Sequence, residues 1–114
     1  MAFIQITDTT TGYTVGGGNN AYLVASGTVV GSSSTAILAS GTYTNNDYTI
    51  DGYVIANTGQ SGIYLYGKIA NSTGVNTINI GASGIVAGSR GIYALEDRLV
   101  LTNNGSISGN GTDG

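Results

Sequence analysis

A chain of 114 residues with three basic and six acidic side chains, a net charge of −3 and 40% apolar residues has enough apolar material for one narrow core and very little charge for anything else. Nucleic acid is excluded as a partner, because neutralising phosphates takes a cluster of Lys and Arg. The sequence has no His and no Cys, which removes zinc and thiolate sites and the usual base of a hydrolytic triad. So sparse a charge also leaves strand edges weakly protected against self-association.

One domain is expected over residues 1–114, with 1–21 less regular and repeats over 22–114. Met1 to Asp8 has no basic start and no apolar run of leader length, so there is no recognisable signal peptide, and nowhere do eighteen apolar residues run together. Phe3, Ile4 and Ile6 predict one short strand. Thr9-Thr10-Thr11-Gly12 and Gly16-Gly17-Gly18-Asn19-Asn20 predict turns, since Gly and Asn tolerate positive φ.

From Tyr22 onward the pattern becomes regular. Val24, Val29 or Val30, and Ile37 recur as Ile50, Val54 or Ile55, and Ile63, and again as Ile80, Ile85 and Ile92. Between Ile50 and Ile107 an apolar strand restarts about every 15 residues, led by Ile50, Leu65, Ile80 and Leu95. Two local echoes accompany it. Gly52 to Gly59 resembles Gly67 to Gly74, and Gly62-Ile63-Tyr64-Leu65 resembles Gly91-Ile92-Tyr93-Ala94. Val, Ile, Thr and Tyr favour extended backbone and 20 glycines oppose helix, so Tyr93 to Leu101, with Glu96-Asp97-Arg98 inside it, is expected as strand with a charged turn.

Fixed-period similarity in short strands predicts units that cannot bury an apolar face alone and must stack on one another. The expected fold is all-β: a parallel β-solenoid of about four coils with about 20 to 30 residues per turn, Ile above Ile, Asn above Asn and Tyr near Tyr, with side-chain amides bonding from coil to coil. The alternative is a β-sandwich or barrel, for which Asn104-Gly105 is the best hairpin turn.

At Ile55-Ala56-Asn57-Thr58-Gly59, Ile69-Ala70-Asn71-Ser72-Thr73-Gly74 and Leu101 to Gly109 the chain resembles the stalk repeats of bacterial autotransporter passengers and filamentous haemagglutinin-like adhesins. The resemblance covers about two thirds of the chain. It implies a right-handed parallel β-helix at the cell surface or outside the cell, without the membrane barrel or the length of those stalks. In size alone the chain is closer to bactofilin-like solenoids.

A solenoid has two open ends, each a row of unpaired backbone groups beside a cut apolar core. No capping element is expected here, and Asn103 to Gly114 stops where Gly62-Ile63 and Gly91-Ile92 predict another Ile. A second copy completes such an end most simply, and a head-to-tail contact that does not close yields a filament. The expected function is therefore structural self-assembly, with the chain itself as partner and with Phe3, Ile4, Ile6, Leu99, Leu101 and Ile107 at the joints. The alternative is an adhesin-type module recognising a glycan or protein.

No enzyme, catalytic residue, metal or cofactor is expected. Asp113 with its neighbouring glycines is one imperfect copy of a calcium turn, and one copy cannot surround the ion. Asp47, Asp51, Glu96 and Asp97 read as solvated turn charges, and Lys68, Arg90 and Arg98 are too scattered for a polysaccharide-cleaving face. The matches to the glycosylation pattern at Asn71, Asn104 and Asn110 are expected by chance in so Asn-rich a chain. Eight tyrosines offer sugar stacking or lateral packing between fibres, but ordinarily occupy half-buried strand positions.

Overall fold

The computed structural model describes residues 2–41, 45–57, 59–67, 74–95 and 98–110. Their strands are β1 (Phe3–Gln5), β2 (Tyr13–Thr14), β3 (Ala21–Val24), β4 (Val29–Ser32), β5 (Ile37–Gly41), β6 (Asp47–Ile50) and β7 (Tyr53–Ala56). There follow β8 (Ser61–Gly67), β9 (Val75–Ile80), β10 (Ile85–Gly88), β11 (Arg90–Leu95), β12 (Arg98–Asn103) and β13 (Ser106–Gly109). Among the described residues there is no helix. The sequence expectation of one strand near Phe3 and of strand on both sides of Glu96-Asp97 agrees with this; Glu96 and Asp97 lie outside the described residues.

The strands form three sheets: β1-β3-β6-β9-β12, then β4-β7-β10-β13, then β2-β5-β8-β11. From β3 on, the chain visits the first, second and third sheets in strict rotation, and every strand pairing between these elements is parallel. Each sheet keeps two edges, so none closes into a barrel, and parallel ladders replace the antiparallel ones a hairpin sandwich needs. Asn104-Gly105 accordingly makes no hairpin. It turns the chain from β12, paired with β9, to β13, paired with β10.

The unit is one circuit of three strands, so the 15-residue step is a fraction of it. Partners on adjacent rungs are separated by 21 residues at Ile85 and Ser106 and by 32 at Tyr53 and Ile85. Ile50 stands opposite Ile80 on the first sheet, whereas Leu65 stands opposite Ala94 on the third. The echo of Gly62 to Leu65 in Gly91 to Ala94 is a true rung pair, with Ile63 on Ile92 and Tyr64 on Tyr93. For the other echo, Tyr53 to Ala56 lies on the second sheet, and residues 68–73 lie outside the described residues.

Alternation with period two sends every second side chain inward. Val24, Ile50 and Ile80 form one inward column, Val30, Val54, Val86 and Ile107 a second, and Ile37, Ile63 and Ile92 a third. In the middle rungs these residues are sealed, at 0% exposure for Val54 and Ile63, whereas Ile92 and Ile107 on the last rungs are half-buried. The expected column residue Ile85 is displaced by its neighbour: Val86 faces in, and Ile85 faces out opposite Tyr53.

The corner between the first and second sheets explains why that register holds. A Cβ on Gly84 would collide with the carbonyl oxygen of Ile50, and one on Gly105 with those of Gly84 and Gly81. Only glycine lets the chain press this closely on the rung beneath, while the Ile85 N–H donates to Gly52 O at 2.9 Å and the Ser106 N–H to Gly84 O at 3.0 Å.

The corner before the first sheet is held by asparagines. The Asn46 carboxamide oxygen accepts the Asn20 N–H at 2.9 Å, and that of Asn76 accepts the Asn46 N–H at 3.1 Å. The Asn46 amide donates to Gly17 O at 2.9 Å and to the Tyr48 hydroxyl at 3.3 Å. Asn46 and Asn76 are fully buried, so these bonds satisfy groups that water does not reach. Beside them Asn19 and Asn45, at φ 57° and 58°, form a second pair through the Asn45 amide and Asn19 Oδ1. The expected stacking of Asn on Asn is thus a ladder of side-chain to backbone bonds.

Candidate assembly edges

Among the described residues the three-sheet rotation ends on strands that pair on one side only. At one end these are β1 and β2, on the first and third sheets; at the other they are β12, β13 and β11. On the second sheet the low edge is β4, bridged at Val30 by Thr9, and there the Asp8 carboxylate accepts the Val29 N–H at 2.8 Å. The next position in the rotation after β13 is the third sheet, where residues 111–114 lie outside the described residues.

Of the residues expected at the joints, Phe3 is 72% exposed on β1 and Leu101 is 43% exposed on β12. Ile4, Leu99 and Ile107 are half-buried against the core. Ile6 is 2% exposed and belongs to the core itself, so it offers no free surface. Reading the ladder across the first sheet, Ile4, Tyr22, Tyr48, Ile78 and Leu101 make one inward column, and Phe3, Ala21, Asp47, Thr77 and Val100 one outward column. The structure therefore gathers Phe3 and Ile4 on one edge and Leu99 and Leu101 on the opposite edge of the same sheet, with Ile107 on the second sheet.

Sequence reasoning missed Val100, which is 54% exposed and outward on β12. Its signal is the run Leu99-Val100-Leu101, three apolar residues where a strand with one wet face should alternate. Phe3, Val100 and Leu101 are three of the seven large apolar side chains that stand exposed among the described residues.

The tyrosines divide between inside and outside. Tyr22 and Tyr48 stack in the core with ring centroids 5.3 Å apart, and Tyr13 meets Tyr22 edge-on at 5.9 Å. Burial first, and the neighbouring Tyr22 second, push the Tyr13 phenol above its usual range. On the outer face of the third sheet Tyr64 and Tyr93 stack at 4.8 Å, Tyr66 meets Tyr64 edge-on, and the Arg90 guanidinium lies 4.4 Å over the Tyr93 ring. On the third sheet the ring faces of Tyr64 and Tyr93 are thus used between rungs and by Arg90, whereas Tyr53, on the second sheet, stands 39% exposed. Tyr43 lies outside the described residues.

Among the described residues carboxylates do not converge. Asp47 is exposed on β6, Asp51 sits at the corner that follows, and among the described residues no group of three or more acidic side chains could hold a metal. Asp113 and Lys68 lie outside the described residues. Among those described, no helix is long and apolar enough to cross a membrane. No protein-family model matches the chain, and comparison with curated proteins and with solved structures gives no match.

Proposed function

We propose that the rotating three-sheet stack is a parallel β-solenoid of about four coils, and that it functions as a structural subunit joining head to tail into filaments at or outside a bacterial cell surface. The observation that carries this reading is the presence of apolar residues on both edges of the first sheet, Phe3 and Ile4 on one and Val100 and Leu101 on the other. Adding β1 of one copy to β12 of the next, in the register the ladder already has, sets Ile4 on Leu101 inside and Phe3 on Val100 outside. Burying one such side chain fully contributes about 1.5 to 3 kcal/mol, and the joint also pairs a row of edge N–H and C=O groups. Both edges run parallel, so the addition repeats without closing. The localisation rests on the resemblance to autotransporter and haemagglutinin-like repeats.

Electron microscopy of the pure protein tests the proposal. Long unbranched filaments are expected from the wild type, and Leu101→Lys or Ile4→Lys should give monomers with an unchanged β-sheet circular dichroism spectrum. A wild type that sediments as a single monomeric species when highly concentrated would overturn it.

A further inference from the structure

The outer face of the second sheet is unlike that of the first. Its outward positions are Val29 and Gly31 on β4, Tyr53 and Ile55 on β7, Ile85 and Ala87 on β10, and Ser106 and Ser108 on β13. None carries a charge, and Val29, Tyr53 and Ile55 are 43%, 39% and 42% exposed. By contrast, the outward residues of the first sheet include Asp47 and Arg98.

The face also has relief. One column, Val29, Tyr53, Ile85 and Ser106, carries large side chains on three of its four rungs. The adjacent column runs Gly31, Ile55, Ala87 and Ser108, mostly small. Beside it lies a groove of about 470 Å³ lined by Thr9, Val29, Gly31, Ser32, Ile55 and Asn57. A ridge beside a trough is complementary to its own two-fold copy, because each ridge fills the other's trough. None of the eight outward positions puts an ion into the contact, and the Asp8 carboxylate at the β4 edge is held by the Val29 N–H.

Area decides when such a face can act. Four strands spaced ~4.8 Å apart, each contributing four residues of ~3.3 Å, present roughly 250 Å². A stable specific interface needs about 800 Å² from each partner. One copy therefore falls short by about threefold, whereas a row of three or four copies reaches the threshold, each contact making the next intramolecular.

We propose that the second-sheet face is a lateral docking surface for a second copy of this chain, engaged only within filaments, so that end-to-end growth switches on side-by-side pairing. This rests on the filament reading above. The proposal differs from tyrosine-mediated packing in its site: the third-sheet tyrosines are stacked on one another, and the contact is assigned to Tyr53, Ile55 and Ile85.

Differential sedimentation with electron microscopy separates the two readings. Low-speed pellets collect paired or bundled filaments and high-speed pellets collect single ones. Ile55→Lys, and independently Tyr53→Lys, should lower the low-speed pellet at least tenfold while leaving the high-speed total within about twofold and the filaments single under the microscope. Wild-type filaments that are always single, or bundles that survive both variants, would overturn lateral docking and leave the filament reading standing. A wild type without filaments overturns both. Single wild-type filaments in which added cellohexaose slows amide exchange in β4 and β7 would assign the face to a neutral saccharide, overturning docking of a second copy.

Discussion

Asn46 shows how one side chain ties several parts of the chain together. Its oxygen accepts from Asn20 on one rung, its amide donates to Gly17 and to Tyr48, and its own N–H donates to Asn76 on the other side. Being fully buried, it cannot exchange these partners for water. Asn46→Ala should therefore lower stability by about 3 kcal/mol in urea denaturation, as the Asn20 N–H and the Gly17 carbonyl lose a partner in a dry corner. Asn45→Gly is the control. It keeps the left-handed backbone, gives up two exposed bonds, one to Asn19 and one from the Val75 N–H, and should cost only about 1 kcal/mol. The sequence made the residue type legible, since Asn in repeats suits ladders, but Asn45 and Asn46 are adjacent and identical in type. Only the turn geometry sends one inward and the other into solvent.

Among elements, burial rises from the last rung to the middle ones. Ile63 on β8 has Ile37 on one side and Ile92 on the other, while Ile92 on the edge strand β11 has a described partner on one side alone. Deleting the same atoms should then cost different amounts: about 3 kcal/mol for Ile63→Ala and about 1 kcal/mol for Ile92→Ala, from thermal or urea melts. Both belong in a Leu101→Lys background, so that assembly does not cover the edge being measured. Equal losses would mean that Ile92 is covered in the monomer. The stacking of like on like in this column was readable from the spacing of Ile37, Ile63 and Ile92. That Ile85 yields its place to Val86 was not, because two adjacent apolar residues leave the parity of a strand undecided until the Gly84 corner sets it against Ile50.

For the molecule as a whole, the proposed assembly would be linked to stability. Anything that binds the folded chain and not the unfolded one stabilises it by mass action, and on the proposed reading a second copy is such a ligand. The wild-type melting temperature should rise with protein concentration, while that of Leu101→Lys should stay constant. A concentration-independent wild type would count against end-to-end joining. Of the residues read from the sequence as joints, Phe3, Ile4, Leu99 and Leu101 lie on the two edge strands of the first sheet and Ile6 lies in the core, while the exposed Val100 was overlooked. An apolar residue near a chain terminus reads the same whether it ends inside or outside, and only its rung position separates the two.

By itself the sequence determined the kind of backbone and much of the inward face. Glycine in such number opposes helix, β-branched residues favour strands, and period-two alternation marks which residues seek the core. The tertiary structure alone decided that three strands make one circuit, which rung each strand meets, and which apolar residues remain exposed on edges and outer faces. Those outcomes depend on corners, where a glycine must touch a carbonyl of the rung beneath and a buried asparagine must find its bonds one rung away. Partners 18 to 32 residues apart are brought together by closure of the circuit, which no local pattern encodes.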